Sequence, residues 1–310
     1  MNALAGFIVS GRWQALLVTT ASGIVAFMLP PFSSVLNYLG AAAVALVTLH
    51  LGLMQGLQTL LAASALTLLF YQLAGIQSAV VLVLVLLLLL WFPCWLASAV
   101  LRQTLNLGHA LKTATVLGIS LLLMVYAVYG DPAPWWLERL QQFEAAMNDA
   151  GIATQAVSGS HMLEQLSALL TGMVVASLVL GIIASLLLAR WWQSLVVHPG
   201  GFREEFFELR LGQWSGLLTL TVMLLGQFTR GTGSELLIQL AMVMLVPYLF
   251  TGLAVIHSIV SRAGRGRGWL IALYVAMAFL PQAMLLLAGG GLLDTWLDFR
   301  RRLTRNGRNT

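Results

Sequence analysis

The chain is poor in charge. Only 9 % of its 310 residues are Asp, Glu, Lys or Arg and 59 % are hydrophobic, whereas soluble globular domains carry roughly 25 % charged residues. Water is a poor solvent for such a surface. A single cysteine, Cys94, excludes an intrachain disulfide and a cysteine metal cluster. The single lysine, Lys112, follows His109-Ala-Leu with no glycine loop before it. A nucleotide-binding P-loop needs that lysine at its phosphates, so hydrolysis by this route is excluded. His50, His109, His161, His198 and His257 are scattered, and no two stand at the His-Glu-x-x-His spacing that lets two imidazoles face one zinc ion. The carboxylates Glu235 and Asp294 fall near the ends of apolar runs, so no buried relay for an ion-coupled pump is visible. No cofactor and no enzymatic activity are expected from this inventory.

What the chain does contain is apolar runs long enough to cross a hydrocarbon core of about 30 Å. Val80 to Trp91 reads VVLVLVLLLLLW, with none of the two-residue alternation of a membrane barrel strand. Helices then remain as the way to pair every backbone group in lipid. Nine hydrophobic stretches are candidate spans, the first two of them short and flanking Pro30 and Pro31: Ala15 to Met28, Val35 to His50, Leu57 to Leu73, Val80 to Val100, Thr113 to Tyr129, Leu166 to Leu188, Leu217 to Phe228, Leu236 to Val260 and Trp269 to Leu287. The expected fold class is all-α, a polytopic transmembrane bundle of about eight to nine helices forming a single domain over residues 1–310.

The net charge of +5 is distributed as topology and headgroup anchors rather than as a nucleic-acid surface. With the N-terminus inside, Arg102, Lys112, Arg190, Arg203, Arg210, Arg262, Arg265 and Arg267 all face the cytoplasm. Nine full crossings would then put the basic tail (299–310) outside. If one stretch is re-entrant or broken, every basic residue except Arg139 and Arg230 becomes cytoplasmic, and both termini lie inside a bacterial inner membrane. Gly268 to Trp296, with Pro281 and the run Gly289-Gly290-Gly291, is the expected place for that irregularity.

Two connecting segments stand out. The loop 130–165 carries Asp131, Glu138, Glu144, Asp149 and Glu164 against a single Arg139 and belongs outside. Within it Trp136, Leu140, Phe143 and Met147 fall on one face of an interfacial amphipathic helix. That helix is either a passive cover or a gate over a cavity. The elbow 190–212 runs Pro199-Gly-Gly-Phe202-Arg203-Glu204-Glu205-Phe206-Phe207-Glu208. Pro-Gly-Gly breaks the chain, Phe202, Phe206 and Leu209 face the membrane, and the three glutamates repel one another at helical spacing. Arg203, Glu204, Glu205 and Glu208 are candidate partner-docking residues. His257, Gln239 and Gln227 are a candidate polar lining, set against the ordinary role of such residues as helix glue. Ser120 with His257 is the residue pair an intramembrane serine protease would require.

The elbow motif, together with Gly291-Leu-Leu-Asp294-Thr-Trp296-Leu-Asp298-Phe-Arg300, resembles the YybS-like family of uncharacterised bacterial membrane proteins. That family is similar in fold to the substrate-binding S components of energy-coupling-factor transporters and, more distantly, to the rod-shape protein MreD. The resemblance implies an S-component-like core with added helices, small-molecule capture, and a coupling ATPase as membrane partner; it assigns no ligand residues. Lipids are the one certain surroundings of such a chain. A cell-envelope structural or assembly protein is the alternative function.

Overall fold

The apolar runs form helices, and several breaks fall at a proline, as before Pro281, or at a glycine of positive φ, as at Gly52, Gly75 and Gly130, while the helix that ends at Thr104 is closed by Leu105, itself left-handed with φ of 51°. The computed structural model describes residues 2–29, 32–151, 160–262, 264, 266 and 268–300, so the tail beyond Arg300 lies outside the described residues. The order is α1 (Asn2–Val9), α2 (Arg12–Met28), α3 (Ser33–His50), α4 (Leu53–Leu73), α5 (Ala79–Leu86), a π-turn (Leu87–Trp91), α6 (Phe92–Thr104), α7 (Leu107–Tyr129), α8 (Ala133–Asp149), α9 (Ser160–Val197), α10 (Gly201–Phe207), α11 (Gln213–Phe228), α12 (Thr232–Arg262), α13 (Gly268–Phe279) and α14 (Pro281–Leu297). All elements among the described residues are helical.

α5, the π-turn and α6 form one continuous span, Ala79–Thr104. Its irregularity has a local cause: Pro93 cannot donate to the carbonyl of Leu89 and its ring crowds that carbonyl. The helix widens over Leu87–Trp91 to accommodate it. Six helices or continuous spans reach the length and hydropathy of a membrane crossing, while α2 has 17 residues and α11 has 16. α9, with 38 residues, is about 57 Å long at 1.5 Å per residue and outruns the hydrocarbon core.

Tracing the helices gives the bundle two ends. The elbow end gathers Arg12, His50, Thr104, α10 and Arg262; the loop end gathers Met28, Leu73, Tyr129, α8 and Thr232. The core lies between them on α3, where Ala41 through Leu46 have no exposed surface. Small side chains there let the neighbouring helices approach closely.

The last apolar stretch is not one helix. It bends by 118° between Phe279 and Pro281, and both arms stay at the elbow end. α13 brings Tyr274 to His257, and α14 delivers Asp298 to Arg210 and Arg300 to the carbonyl oxygens of Phe207 and Leu209. The pair is thus a bent hairpin whose start and end both lie at the elbow end. α14 packs backbone to backbone on α12, where a Cβ at Gly291 would strike the carbonyl of Tyr248 and one at Gly252 that of Leu287.

α8 lies along α9 at the loop end, held by Trp136 Nε1 donating to Thr171 Oγ1 at 2.8 Å. Its covered face carries Trp136, Leu137, Leu140, Glu144 and Met147, while Phe143 is exposed. The amphipathic face expected from sequence is thus rotated slightly, because α9 rather than a flat interface supports it.

Candidate binding site at the elbow

The elbow is built by a turn that only glycine adopts readily. Gly200 has φ of 96°, in the left-handed region where a Cβ is penalised. This reversal folds α10 back under the end of α9. Phe202 and Phe206 stack at 5.7 Å between ring centroids, and Arg203 lies over Phe207 at 5.3 Å. Glu205 turns inward to Arg190, with Nε to Oε2 at 2.7 Å. Arg190 also donates to Gln193, which donates to the Leu49 carbonyl at the end of α3. Arg102 donates to the carbonyls of Thr48 and Leu49. Cationic and amide donors therefore cap the unpaired carbonyls that every helix leaves at its C-terminus.

A second set of bonds ties the elbow to the end of α14. Arg300 and Asp294 form an ion pair at 3.2 Å with side chains 4 % and 2 % exposed. Asp294 also accepts from the Phe299 N–H at 2.9 Å, and Arg300 donates to the carbonyls of Phe207 and Leu209. Burial pushes the Arg300 guanidinium below the usual arginine range, and the Asp294 carboxylate opposes that shift. More exposed, Arg210 meets Asp298 at 2.7 Å. The two segments that carry the family resemblance in sequence are thereby joined in space.

On the aromatic face of α10 lies a cavity of about 750 Å³, within the usual range for ligand pockets. Its walls come from α9 (Leu188, Trp191), α10 (Phe202, Phe206, Phe207), α12 (Phe250, Leu253, His257) and α13 (Leu270, Tyr274). Arg203 stands at the rim and donates to Ser261 Oγ at 2.5 Å. His257 Nδ1 is 2.9 Å from the Leu253 carbonyl, which can only accept. The proton is therefore assigned to Nδ1, and Nε2 accepts from the Tyr274 hydroxyl at 3.3 Å. The arrangement offers an aromatic interior, one guanidinium at its edge and one His–Tyr pair. It can hold an apolar body and an anionic or hydrogen-bonding head.

The residues proposed from sequence as one polar lining are not brought together. His257 lines this cavity. Gln239 is 18 positions earlier on α12, about 27 Å away along the axis, where it is buried and donates to Tyr126 Oη and the Ala168 carbonyl. Gln227 is exposed near the end of α11. Of the docking residues, Glu205 is engaged by Arg190 and Arg203 by Ser261, whereas Glu204 and Glu208 are exposed. Ser120 is exposed on α7, and Leu253, Tyr274 and Phe206 are the neighbours of His257. The larger cavity lies under the elbow; the one beneath α8 is about 230 Å³ and almost wholly apolar.

Sequence reading missed the Asp294–Arg300 pair. A carboxylate at the end of an apolar run needs a named partner, and an arginine six residues on was the available signal. The aromatic walls of Trp191, Phe250 and Tyr274 carried no such signal, because they converge from three helices far apart in the chain.

No curated protein and no solved structure matches the chain. Residues 17–295, most of its length, match the family model described as "Predicted membrane protein (DUF2232)". The chain belongs to that family of multi-pass membrane proteins.

Proposed function

We propose that this protein is a membrane-embedded binding protein for a small amphipathic molecule with an anionic head, held in the elbow cavity. The observation that carries the reading is the cavity itself: aromatic walls with Arg203 at the rim and the His257–Tyr274 pair inside. The resemblance to S components, which capture small molecules and borrow energy from a coupling ATPase, supports it. Within this reading the exposed Glu204 and Glu208 dock a partner on a surface made rigid by the Arg190–Glu205 and Arg300–Asp294 pairs.

The same reading sets the topology. α2, α3, α4, the α5–α6 span, α7, α9, α11 and α12 cross the membrane, and the α13–α14 hairpin returns to the side it left. Both termini are then on the elbow side. Eight described basic residues lie at that end against Arg139 and Arg230 at the other, so the elbow faces the cytoplasm of a bacterial inner membrane.

Binding is tested with the protein in zwitterionic nanodiscs, titrated with dodecyl phosphate or dodecanol while the unfolding temperature is followed. Dodecyl phosphate should raise the unfolding temperature of the wild type. Arg203→Gln should weaken that response about tenfold, which one lost charge-assisted hydrogen bond suffices to produce. Leu188→Trp, which fills the cavity, should abolish it. Equal responses in the wild type and both variants would contradict the proposal.

The exposed acids also suit an envelope-assembly protein with no ligand. Glu204→Gln with Glu208→Gln should weaken a co-purifying partner in either case. An ATPase among the partners favours capture, and envelope-assembly proteins with no dodecyl phosphate response favour assembly.

A further inference from the structure

The bonds that cap α3 leave part of two arginines unused. Arg102, in the last turn of α6, commits Nη1 to the carbonyls of Thr48 and Leu49. Its Nε and Nη2, the edge of the guanidinium that forms a two-pronged fork, meet no acceptor among the described residues. Arg190 of α9 gives Nε to Glu205 and Nη1 to Gln193, and its Nη2 meets none either. That nitrogen is unpaired without being sealed inside the protein, and the Arg190 side chain is 30 % exposed. Arg102 is exposed as a whole.

Both arginines line one cavity of about 260 Å³, together with Gln193, Glu205, Leu49, Leu101 and Leu105. No residue is shared with the elbow cavity; α10 turns Phe202 and Phe206 to that one and Glu205 to this. Charge decides what the smaller cavity holds. Two guanidinium groups stand against one carboxylate, which leaves one positive charge in excess. The C-terminus of a helix disfavours an anion, but the last carbonyls of α3 are already covered by Arg102 and by Gln193 Nε2. Glu205 is likewise turned to Arg190.

We infer that Arg102 and Arg190 form a phosphate-binding site, taking a phosphate group carried by a phospholipid headgroup or by a small soluble phosphate. The unused donors come from two helices, two on the Arg102 fork and one on Arg190. A carboxylate presents two oxygens in one plane, whereas the oxygens of a phosphate are set tetrahedrally and can meet the fork and the second arginine together. The volume is below the range of about 300–1,000 Å³ that encloses a whole small molecule, so the site takes the head alone. Leu105, 80 % exposed, marks the open side through which the rest of the ligand leaves. A bound phosphate ties α6 to α9 beside the capped end of α3.

The test uses the full chain in phosphatidylcholine nanodiscs and reads the unfolding temperature in two titrations. One replaces phosphatidylcholine stepwise with phosphatidylglycerol; the other adds inorganic phosphate, compared with chloride at equal ionic strength. At least one should raise the unfolding temperature of the wild type. A rise with phosphatidylglycerol alone identifies a lipid headgroup, and a rise with inorganic phosphate identifies a site open to soluble phosphates. Arg102→Gln uncaps α3 and should start from a lower temperature, and the midpoint of its response should move about tenfold higher. Leu105→Asp keeps both arginines and their caps, at an exposed position whose φ of 51° suits Asp better than Leu. Its carboxylate, three residues from Arg102, competes for the fork and should move the midpoint as far. Arg203→Gln at the elbow cavity and Arg139→Gln at the loop end should respond as the wild type does. The inference is overturned if the wild type responds to neither probe, or if Arg102→Gln or Leu105→Asp keeps the wild-type midpoint. It is equally overturned if Arg203→Gln loses the response, which would place the phosphate at the elbow cavity, or if Arg139→Gln loses it, which would mean a general effect of charge.

Discussion

The two ends of this bundle are held by different forces. At the elbow end Arg210–Asp298 joins the start of α11 to the end of α14, Arg190–Glu205 ties α9 to α10, and Arg300, paired with Asp294, reaches across to the carbonyls of Phe207 and Leu209. At the loop end the one comparable contact among the described residues is His161 with Glu164, one turn apart on one helix, 3.9 Å long and exposed. There the helices meet through apolar packing and single neutral hydrogen bonds, such as Trp136 to Thr171 and Tyr71 to the Gly23 carbonyl. Charged cross-links in a desolvated setting are costly to break, whereas a neutral bond and an apolar face can part and re-form. The elbow is therefore the fixed end and the loop end the adjustable one, with α8 as its most weakly held element.

That contrast is broken most sharply by opening the buried pair. Asp294→Ala leaves Arg300 buried without its carboxylate, a change that destabilises by about 3–5 kcal/mol. A large fall in unfolding temperature should result, and Asp294→Leu combined with Arg300→Met should recover most of it, because a matched apolar pair removes both charges. A fall of the same size in the double variant would show that the pair does not act as a unit. A smaller effect is expected at the other end. Trp136→Phe removes one neutral hydrogen bond, worth about 1 kcal/mol, and should speed amide hydrogen exchange in α8 while leaving α10 unchanged. Faster exchange in α10 would erase the distinction between the ends. Smallest of all, Arg210→Gln opens a pair whose arginine is 48 % exposed; partly solvated pairs contribute about 0–1 kcal/mol, so the unfolding temperature should hardly move.

Much of the frame was legible in the sequence, because a run such as Val80 to Trp91 has one stable form in lipid. The break between Phe279 and Pro281 was legible too, since Pro281 and three consecutive glycines weaken a helix that would otherwise cross. The π-turn was not: Pro93 announces an irregularity, but whether the helix kinks, breaks or widens depends on the packing of Trp91 against Gly23 and Gly40. Depth was also hidden. Gln227, Gln239 and His257 look alike as polar residues in apolar runs, yet one is exposed, one braces α7 and α9 from within, and one lines the elbow cavity. Composition shows that such a residue needs a partner and does not show which helix supplies it. α1 escaped the hydropathy reading because eight residues are too few to cross, although Ala5 and Ile8 are completely buried.

The proposed topology, in which eight helices cross and the last pair returns, puts the elbow, α1 and the end of α14 on one side. It is tested by single cysteines at Ala150, Glu208 and Thr310, each probed in intact cells with a membrane-impermeant thiol reagent; the natural Cys94 is fully buried and serves as the silent background. The account predicts labelling of Ala150→Cys and protection of both Glu208→Cys and Thr310→Cys until the membrane is permeabilised. Labelling of Thr310→Cys together with Ala150→Cys would contradict it, because α13–α14 would then be a full crossing.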